Sequence, residues 1–334
     1  MSIQNRLPTA ALAVALFVPA AEPVSAQFVY EGFQYDAVDD SLHGQADDSG
    51  ATDTDATGLA GTWADATGTS SANLFLKADN LVFGDLVTNG NHVGFESNAN
   101  NDIFHRSLTA GAQSGIGGAG EIWFGILFEK LQNNFSAGEG GFALANQVLG
   151  NTRIFENGGA TPVNGLAGFG FGPTTAGTDL TAYAWDGTSR FTGDATIPVP
   201  PANGSANTDA SNLGDVRLIV GHIAFDSGTG GTDVYTLYDY ALNGGTVDGG
   251  TLNQVASPLE VDVDQTSLDV VNLTRQVNLN YDELRIGATF TEVVPFLNYA
   301  AWAAGFPGAD LSDPGADFED DGLTNQEEFD LKTD

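Results

Sequence analysis

Nine consecutive residues, Glu121-Ile-Trp-Phe-Gly-Ile-Leu-Phe-Glu129, are apolar at every position between their two end carboxylates. A β-strand sends alternate side chains to opposite faces, so a run that is apolar at both parities needs cover on both sides. This stretch therefore belongs in the middle of a layered sheet, as a central strand of a sandwich does. Whatever else the chain does, it must supply a second layer over each face of that strand.

The rest of the text is consistent with such layers. Glycine is abundant (43 residues). Short apolar or aromatic segments alternate with Gly, Asn, Asp, Ser and Thr turns, the pattern of a sandwich or jelly roll. Strands are expected at Phe28–Phe33, Asn73–Phe75, Val93–Phe95, Glu121–Glu129, Gly141–Gln147, Thr152–Phe155, Gly168–Phe171, Thr181–Asp186, Val216–Phe225, Asp233–Leu242, Leu259–Val263 and Tyr281–Ile286. Val216–Phe225 and Asp233–Tyr240 flank the turn Asp226-Ser-Gly-Thr-Gly-Gly and read as a hairpin. In its second arm Val234, Thr236, Tyr238 and Tyr240 share one face and Tyr235, Leu237 and Asp239 the other. Asp36–Asp55 and Pro198–Asn212 are long polar loops, and no internal repeat is visible.

Several short runs carry a resemblance. Tyr30-Glu-Gly-Phe-Gln-Tyr35, Gly58-Leu-Ala-Gly-Thr-Trp63, Glu121-Ile-Trp123 and Tyr281-Asp-Glu-Leu-Arg-Ile-Gly287 resemble the concanavalin A-like, laminin G-type jelly rolls of secreted planctomycete and verrucomicrobial proteins. The resemblance spans about residues 28–290. It implies an all-β jelly-roll sandwich whose first and last strands pair. Folds of this kind carry lectins, adhesion modules and glycosidases alike, so function has to be argued from a site.

Residues 1–26 have the layout of a secretory signal: Arg6, an apolar run from Ala10 to Ala21, and the small-residue site Val24-Ser25-Ala26 before Gln27. No later run approaches the ~20 apolar residues of a membrane span. The chain has no cysteine, so no disulfide framework supports it and the core must suffice. Acidic residues outnumber basic ones 44 to 10, a net charge of −34. Arg6 and Glu22 cancel within the signal, so the exported chain keeps that charge. Nucleic acid and anionic membrane are thereby disfavoured as partners, because phosphate binding needs clustered Lys and Arg. Cations, neutral polymers and saline surroundings are favoured.

The C-terminal stretch is the one segment whose chemistry reads position by position. In Asp317-Phe-Glu319-Asp-Asp321-Gly322-Leu323-Thr-Asn325-Gln-Glu-Glu328, oxygen donors fall at positions 1, 3, 5, 7, 9 and 12, with glycine at 6 for the sharp turn. That is the ligand spacing of a twelve-residue Ca2+ loop, with Leu323 giving its carbonyl and Glu328 both carboxylate oxygens. Together with Tyr299-Ala-Ala-Trp302-Ala-Ala-Gly305-Phe-Pro307 and Ala309-Asp-Leu-Ser-Asp-Pro314, the loop resembles the dockerin-like, thrombospondin type 3-like calcium module of the same secreted proteins. The family usually has Asp at the position of Glu319 and Gly at that of Asp320. One loop is present where a dockerin has two. The expected organisation is a signal (1–26), a jelly-roll domain (27–294) and a small helix–calcium loop–helix module (295–334), its first helix at Phe296–Ala304 after Pro295.

No catalytic set stands out. Laminarinase-type glycosidases place three carboxylates on one strand as E-x-D-x-x-E. Here Glu121 and Glu129 end their strand some ~26 Å apart at ~3.3 Å per residue, too far to act as a pair. Asp282 and Glu283 are strand neighbours, expected to face opposite ways. His43, His92, His105 and His222 show no paired spacing, and His222 is expected as a satisfied strand residue. Trp63, Trp123, Trp185 and the Tyr235/Tyr238/Tyr240 group are candidates for a sugar-stacking platform against a background of ordinary core packing. Trp185, in the turn Trp185-Asp186-Gly187, is the ring expected at the surface, and Tyr238 the second ligand candidate. The chain thus reads as a secreted, non-catalytic glycan- or matrix-binding protein with calcium at its C-terminus. The alternatives are a structural surface protein or a polysaccharide hydrolase or lyase.

Overall fold

The computed structural model describes residues 27–35, 41–45, 56–66, 74–88, 90–95, 102–130, 140–150, 165–174, 179–198, 216–226, 231–275, 279–295 and 315. The signal (1–26), the expected strand Thr152–Phe155, the expected helix Phe296–Ala304 and the calcium loop with Asp317, Glu319, Asp321, Leu323, Asn325 and Glu328 lie outside the described residues.

In chain order the elements are β1 (Val29–Glu31), β2 (Leu59–Asp65), β3 (Leu74–Lys77), β4 (His92–Phe95), β5 (Asp102–Leu108), α1 (Ala110–Gly118) and β6 (Glu121–Lys130). There follow β7 (Gly141–Ala145), β8 (Ala167–Pro173), β9 (Asp179–Asp186), β10 (Arg190–Thr192), β11 (Ile197–Pro198) and β12 (Arg217–Ala224). The last are β13 (Asp233–Asn243), β14 (Thr246–Gln254), β15 (Leu259–Val261), β16 (Val270–Arg275), β17 (Leu279–Gly287) and α2 (Phe290–Val293). They form two antiparallel sheets. One runs β14-β13-β12-β6-β17-β4-β3, with β1 beside β17 and β15 beside β13; the other runs β10-β9-β8-β7-β16-β5-β2, with β11 beside β9. This is the expected jelly-roll sandwich. The first strand pairs with the last, Tyr30 opposite Arg285, and β12 and β13 form the expected hairpin.

The apolar run is β6, held between β12 and β17 at the centre of the first sheet. Its inward residues Ile122, Phe124, Ile126 and Phe128 meet Phe142, Leu144, Phe169 and Phe171 of the second sheet in one buried core. Phe124 packs on Phe142 at a 4.8 Å ring distance and lies over Gly221, where a Cβ would come within 2.0 Å of its ring. The glycine in β12 is therefore the space Phe124 occupies.

The two sheets are also joined by a buried ion pair that sequence inspection did not reveal. Glu31 of β1 and Arg106 of β5 sit 2.9 Å apart with side chains 1% and 2% exposed. Ionised groups survive burial only when their remaining lone pairs and protons are used. Here the Glu31 carboxylate accepts from the Phe33 amide, Tyr35 Oη, Trp63 Nε1 and Arg106 Nη1. Arg106 Nε donates to the Gly61 carbonyl. Burial, reinforced by the Glu31 charge, pushes the Tyr35 phenol far up, so it stays protonated as a donor to Glu31. The Tyr30–Tyr35 and Gly58–Trp63 motifs thus meet at one structural lock.

Candidate functional site

A binding surface needs side chains that the core does not consume, and the aromatic candidates separate on that test. Trp63 is fully buried in the Glu31–Arg106 lock. Tyr235 is fully buried between the sheets, with its hydroxyl donating to the Gly170 carbonyl. Trp185, expected at the surface, is fully buried. The reason lies in what covers the outer face of the second sheet. Trp185 and Tyr183 stack on one another there at 6.2 Å, opposite Gly168 and Gly170 of β8. Leu149 and Leu166 pack on the same cluster, and Asn272 holds the covering segment by accepting from the Leu149 amide. Trp185 is thus a core residue of a third layer and is not available to a ligand.

Trp123 and Tyr238 alone of that group remain partly exposed, and they lie on the same outer face of the first sheet. Trp123 on β6 stands opposite His222 on β12, and the rings stack at 4.1 Å with planes 21° apart. Tyr238 on β13 is near-parallel to Trp123 at 6.3 Å and 20°. Alternation on three adjacent strands brings these rings together from residues 99 and 115 positions from Trp123 in the chain, which no local spacing could reveal. His222 Nε2 is 3.0 Å from Glu121 Oε2, with side chains 21% and 53% exposed. His222 is therefore a satisfied strand residue as expected, but at an exposed edge.

The helix α2 sets the border of this face. Phe290 meets Trp123 edge-on at 5.6 Å and Tyr240 at 5.8 Å. It can lie so close because Gly125 has no side chain: a Cβ there would sit 2.7 Å from the Val293 carbonyl. Beyond Phe290 is a groove of about 440 Å³ lined by Val82, Phe83, Gly84, Val216, Arg217, Tyr240, Ala241 and Leu242. Val82 is 72% exposed there. Arg217 is paired with Asp239 at 2.7 Å, and burial raises the Asp239 carboxyl against the pull of that arginine.

The carboxylates that might suggest catalysis are used structurally. Asp282 and Glu283 do not face opposite ways. The register of β17 shifts between Asp282 and Arg285 and Glu283 adopts φ 53°, a bulge that breaks the alternation. Asp282 accepts from the Leu81 and Glu283 amides. Glu283 pairs with Arg285, whose guanidinium also donates to the Val87 carbonyl and lies 4.8 Å from the Tyr30 ring centre. Burial first, then the Glu283 charge, drives the Asp282 carboxyl well above the ordinary aspartate value. Glu129, at the far end of β6, is buried and accepts from Asn280 Nδ2 at 2.6 Å.

Two histidines that the sequence leaves apart do converge. The Asp65 amide donates to His43 Nδ1, and β2 pairs Ala64 with His105. Burial lowers the His105 imidazole, with Asp65 raising it and His43 lowering it. Among the described residues no group of three or more His, Asp or Glu side chains is arranged to hold a metal ion. No helix among them is long and apolar enough to cross a membrane.

No protein-family model matches the chain, and no curated protein sequence matches it. Solved structures do. The globular domain of T. cruzi calreticulin aligns at 12% identity and a TM-score of 0.40, over 70% of this chain and 86% of that one. A carbohydrate esterase of the Shiga toxin-encoding bacteriophage phi24B aligns at 14% and 0.32, over 67% and 89%. The exoplasmic/lumenal domain of VIP36 in its Ca2+/Man3GlcNAc-bound form aligns at 8% and 0.33, over 64% and 84%.

Proposed function

We propose that this chain is a secreted, non-catalytic glycan- or matrix-binding jelly-roll protein, and that it binds through the outer face of the first sheet around Trp123 and Tyr238. The observation that carries this reading is the pair of near-parallel, partly exposed rings beside a polar edge formed by Glu121 and His222. Flat aromatic surfaces bury the apolar C–H faces of a sugar ring, while adjacent polar groups orient its hydroxyls. The structural use of Glu31, Glu129, Asp282 and Glu283 supports binding over hydrolysis.

Two parts of the proposal rest on the sequence. Residues 1–26 direct export, and Asp317, Glu319, Asp321, Leu323, Asn325 and Glu328 bind one Ca2+ that stiffens the C-terminal module. Retardation of the exported chain in polysaccharide gels tests the binding face. Trp123→Ala and Tyr238→Ala should each weaken retardation about tenfold or more while leaving the thermal melt of the sandwich within a few degrees. Unchanged retardation in both variants would remove this face from the account.

A further inference from the structure

Resting on that reading, we infer that the ligand is an uncharged, polyhydroxylated polymer, a neutral glycan and not a uronate or sulfated one. The polar groups at the edge of the ring stack define what they can receive. A carboxylate only accepts hydrogen bonds, so the 3.0 Å contact between Glu121 Oε2 and His222 Nε2 assigns the proton to Nε2. In the neutral imidazole, Nδ1 is then an acceptor. The edge of the platform offers His222 Nδ1 and the second Glu121 oxygen, both acceptors. Their natural complement is a donor without charge, and a sugar hydroxyl is one.

Among the described residues, the cations of this side are already committed. Arg285 is taken up by Glu283, the Val87 carbonyl and the Tyr30 ring. Arg217 pairs with Asp239, and the Lys77 ammonium lies 5.7 Å from the centre of the Phe75 ring. The charge that does reach solvent beside the rings is Glu121, 53% exposed, on a chain of net charge −34. A carboxylated or sulfated polymer approaching Trp123 would meet like charge locally and globally. Recognition of such polymers normally relies on clustered Arg or Lys. A neutral polymer meets no such barrier, and its binding should not depend on screening.

The test is a gel-retardation panel of neutral polymers (a β-glucan, a mannan and a galactan) and anionic ones (alginate and a sulfated galactan). It is run with the exported chain and Trp123→Ala, at about 20 mM and about 500 mM salt, where the Debye length falls from roughly 20 Å to roughly 4 Å. We expect retention on at least one neutral polymer, changed less than about twofold by salt and weakened about tenfold or more by Trp123→Ala. Circular dichroism of the variant confirms that it is folded, and Trp123→Phe, which keeps a ring, should retain most of the binding. Trp123-dependent retention on an anionic polymer would overturn the ligand class and leave the binding face standing. Absence of Trp123-dependent retention on every polymer would overturn both.

Discussion

The Trp123 indole and the His222 imidazole stack face to face at 4.1 Å across β6 and β12, and Glu121 holds the imidazole from the same edge. These contacts restrain both rings, which lowers the cost of ordering them on binding. Glu121→Ala would release the imidazole and alter the acceptor edge. It should weaken glycan retention about three- to tenfold with little loss of stability, because an exposed side-chain pair contributes only ~0–1 kcal/mol. Retention and the melting curve measured on one preparation check both halves.

The buried pair Glu31–Arg106 makes the sharpest stability prediction. Arg106→Met leaves Glu31 buried without its cation, a loss that costs about 3–5 kcal/mol. The double change Glu31→Leu with Arg106→Met removes both charges and should recover a large part of that loss. Urea unfolding of the two variants decides it; equal destabilisation by both would show that hydrogen bonding to Trp63 and Tyr35, and not the paired charge, holds the sheets.

This lock also shows where sequence reading succeeds and where it stops. Tyr30–Tyr35, Trp63 and the Glu121–Glu129 run stand out as text because they are aromatic or uniformly apolar, and period-2 alternation then assigns the faces of β13 correctly. The hairpin was legible for the same reason, whereas the pairing of β1 with β17 was implied by the jelly-roll resemblance. The strand β5, Asp-Ile-Phe-His-Arg-Ser-Leu, was not: it carries His, Arg and Ser, and its Arg106 looks like a surface residue until Glu31 is placed opposite it. The edge strand β14, Thr-Val-Asp-Gly-Gly-Thr-Leu-Asn-Gln, is mostly exposed and therefore lacks an apolar signature. Trp185 was misplaced because a turn sequence marks the chain path but not what lies above it, and the residues clustered with the ring, Leu149 and Leu166, come from another part of the chain. The Asp282–Glu283 alternation failed at a bulge, which shifts parity with no marker in residue type.

Gly125 is required by the approach of α2. Gly125→Val would place a side chain against the Val293 carbonyl, lift α2 and cost about 1–3 kcal/mol. Hydrogen exchange at the Val294 amide, which donates to the Phe290 carbonyl, should accelerate in this variant while amides of β6 stay protected.

Stability should fall as pH rises. Burial raises Asp282, and also Asp233, Asp239 and Asp269, above the ordinary aspartate value. A carboxyl raised in the folded state binds more protons there than in the unfolded chain, so its contribution is most favourable in acid and is lost as pH rises toward the raised value. Asp186, Asp194, His92 and His105 are lowered and act the other way, but all four are less buried than Asp282 and weigh less. The urea midpoint should therefore be higher near pH 5 than near pH 8, and Asp282→Asn should flatten that slope. A midpoint that climbs with pH would contradict the assignment.

For the C-terminal loop, calorimetry on residues 27–334 should show one Ca2+ bound at about 10⁻⁴–10⁻³ M, lost in Asp317→Ala combined with Glu328→Ala. Equal uptake by both proteins would reduce the acidic stretch to a diffuse ion atmosphere.

Hydroxyl-radical footprinting tests the central claim most directly, because it reads each aromatic side chain separately with and without bound polysaccharide. Trp123 and Tyr238 should be oxidised in the free protein and protected several-fold in the complex, while buried Trp63 and Trp185 stay unreactive in both. Trp123 and Tyr238 oxidised equally in free and bound protein, with protection elsewhere, would show that the ligand sits on a different surface.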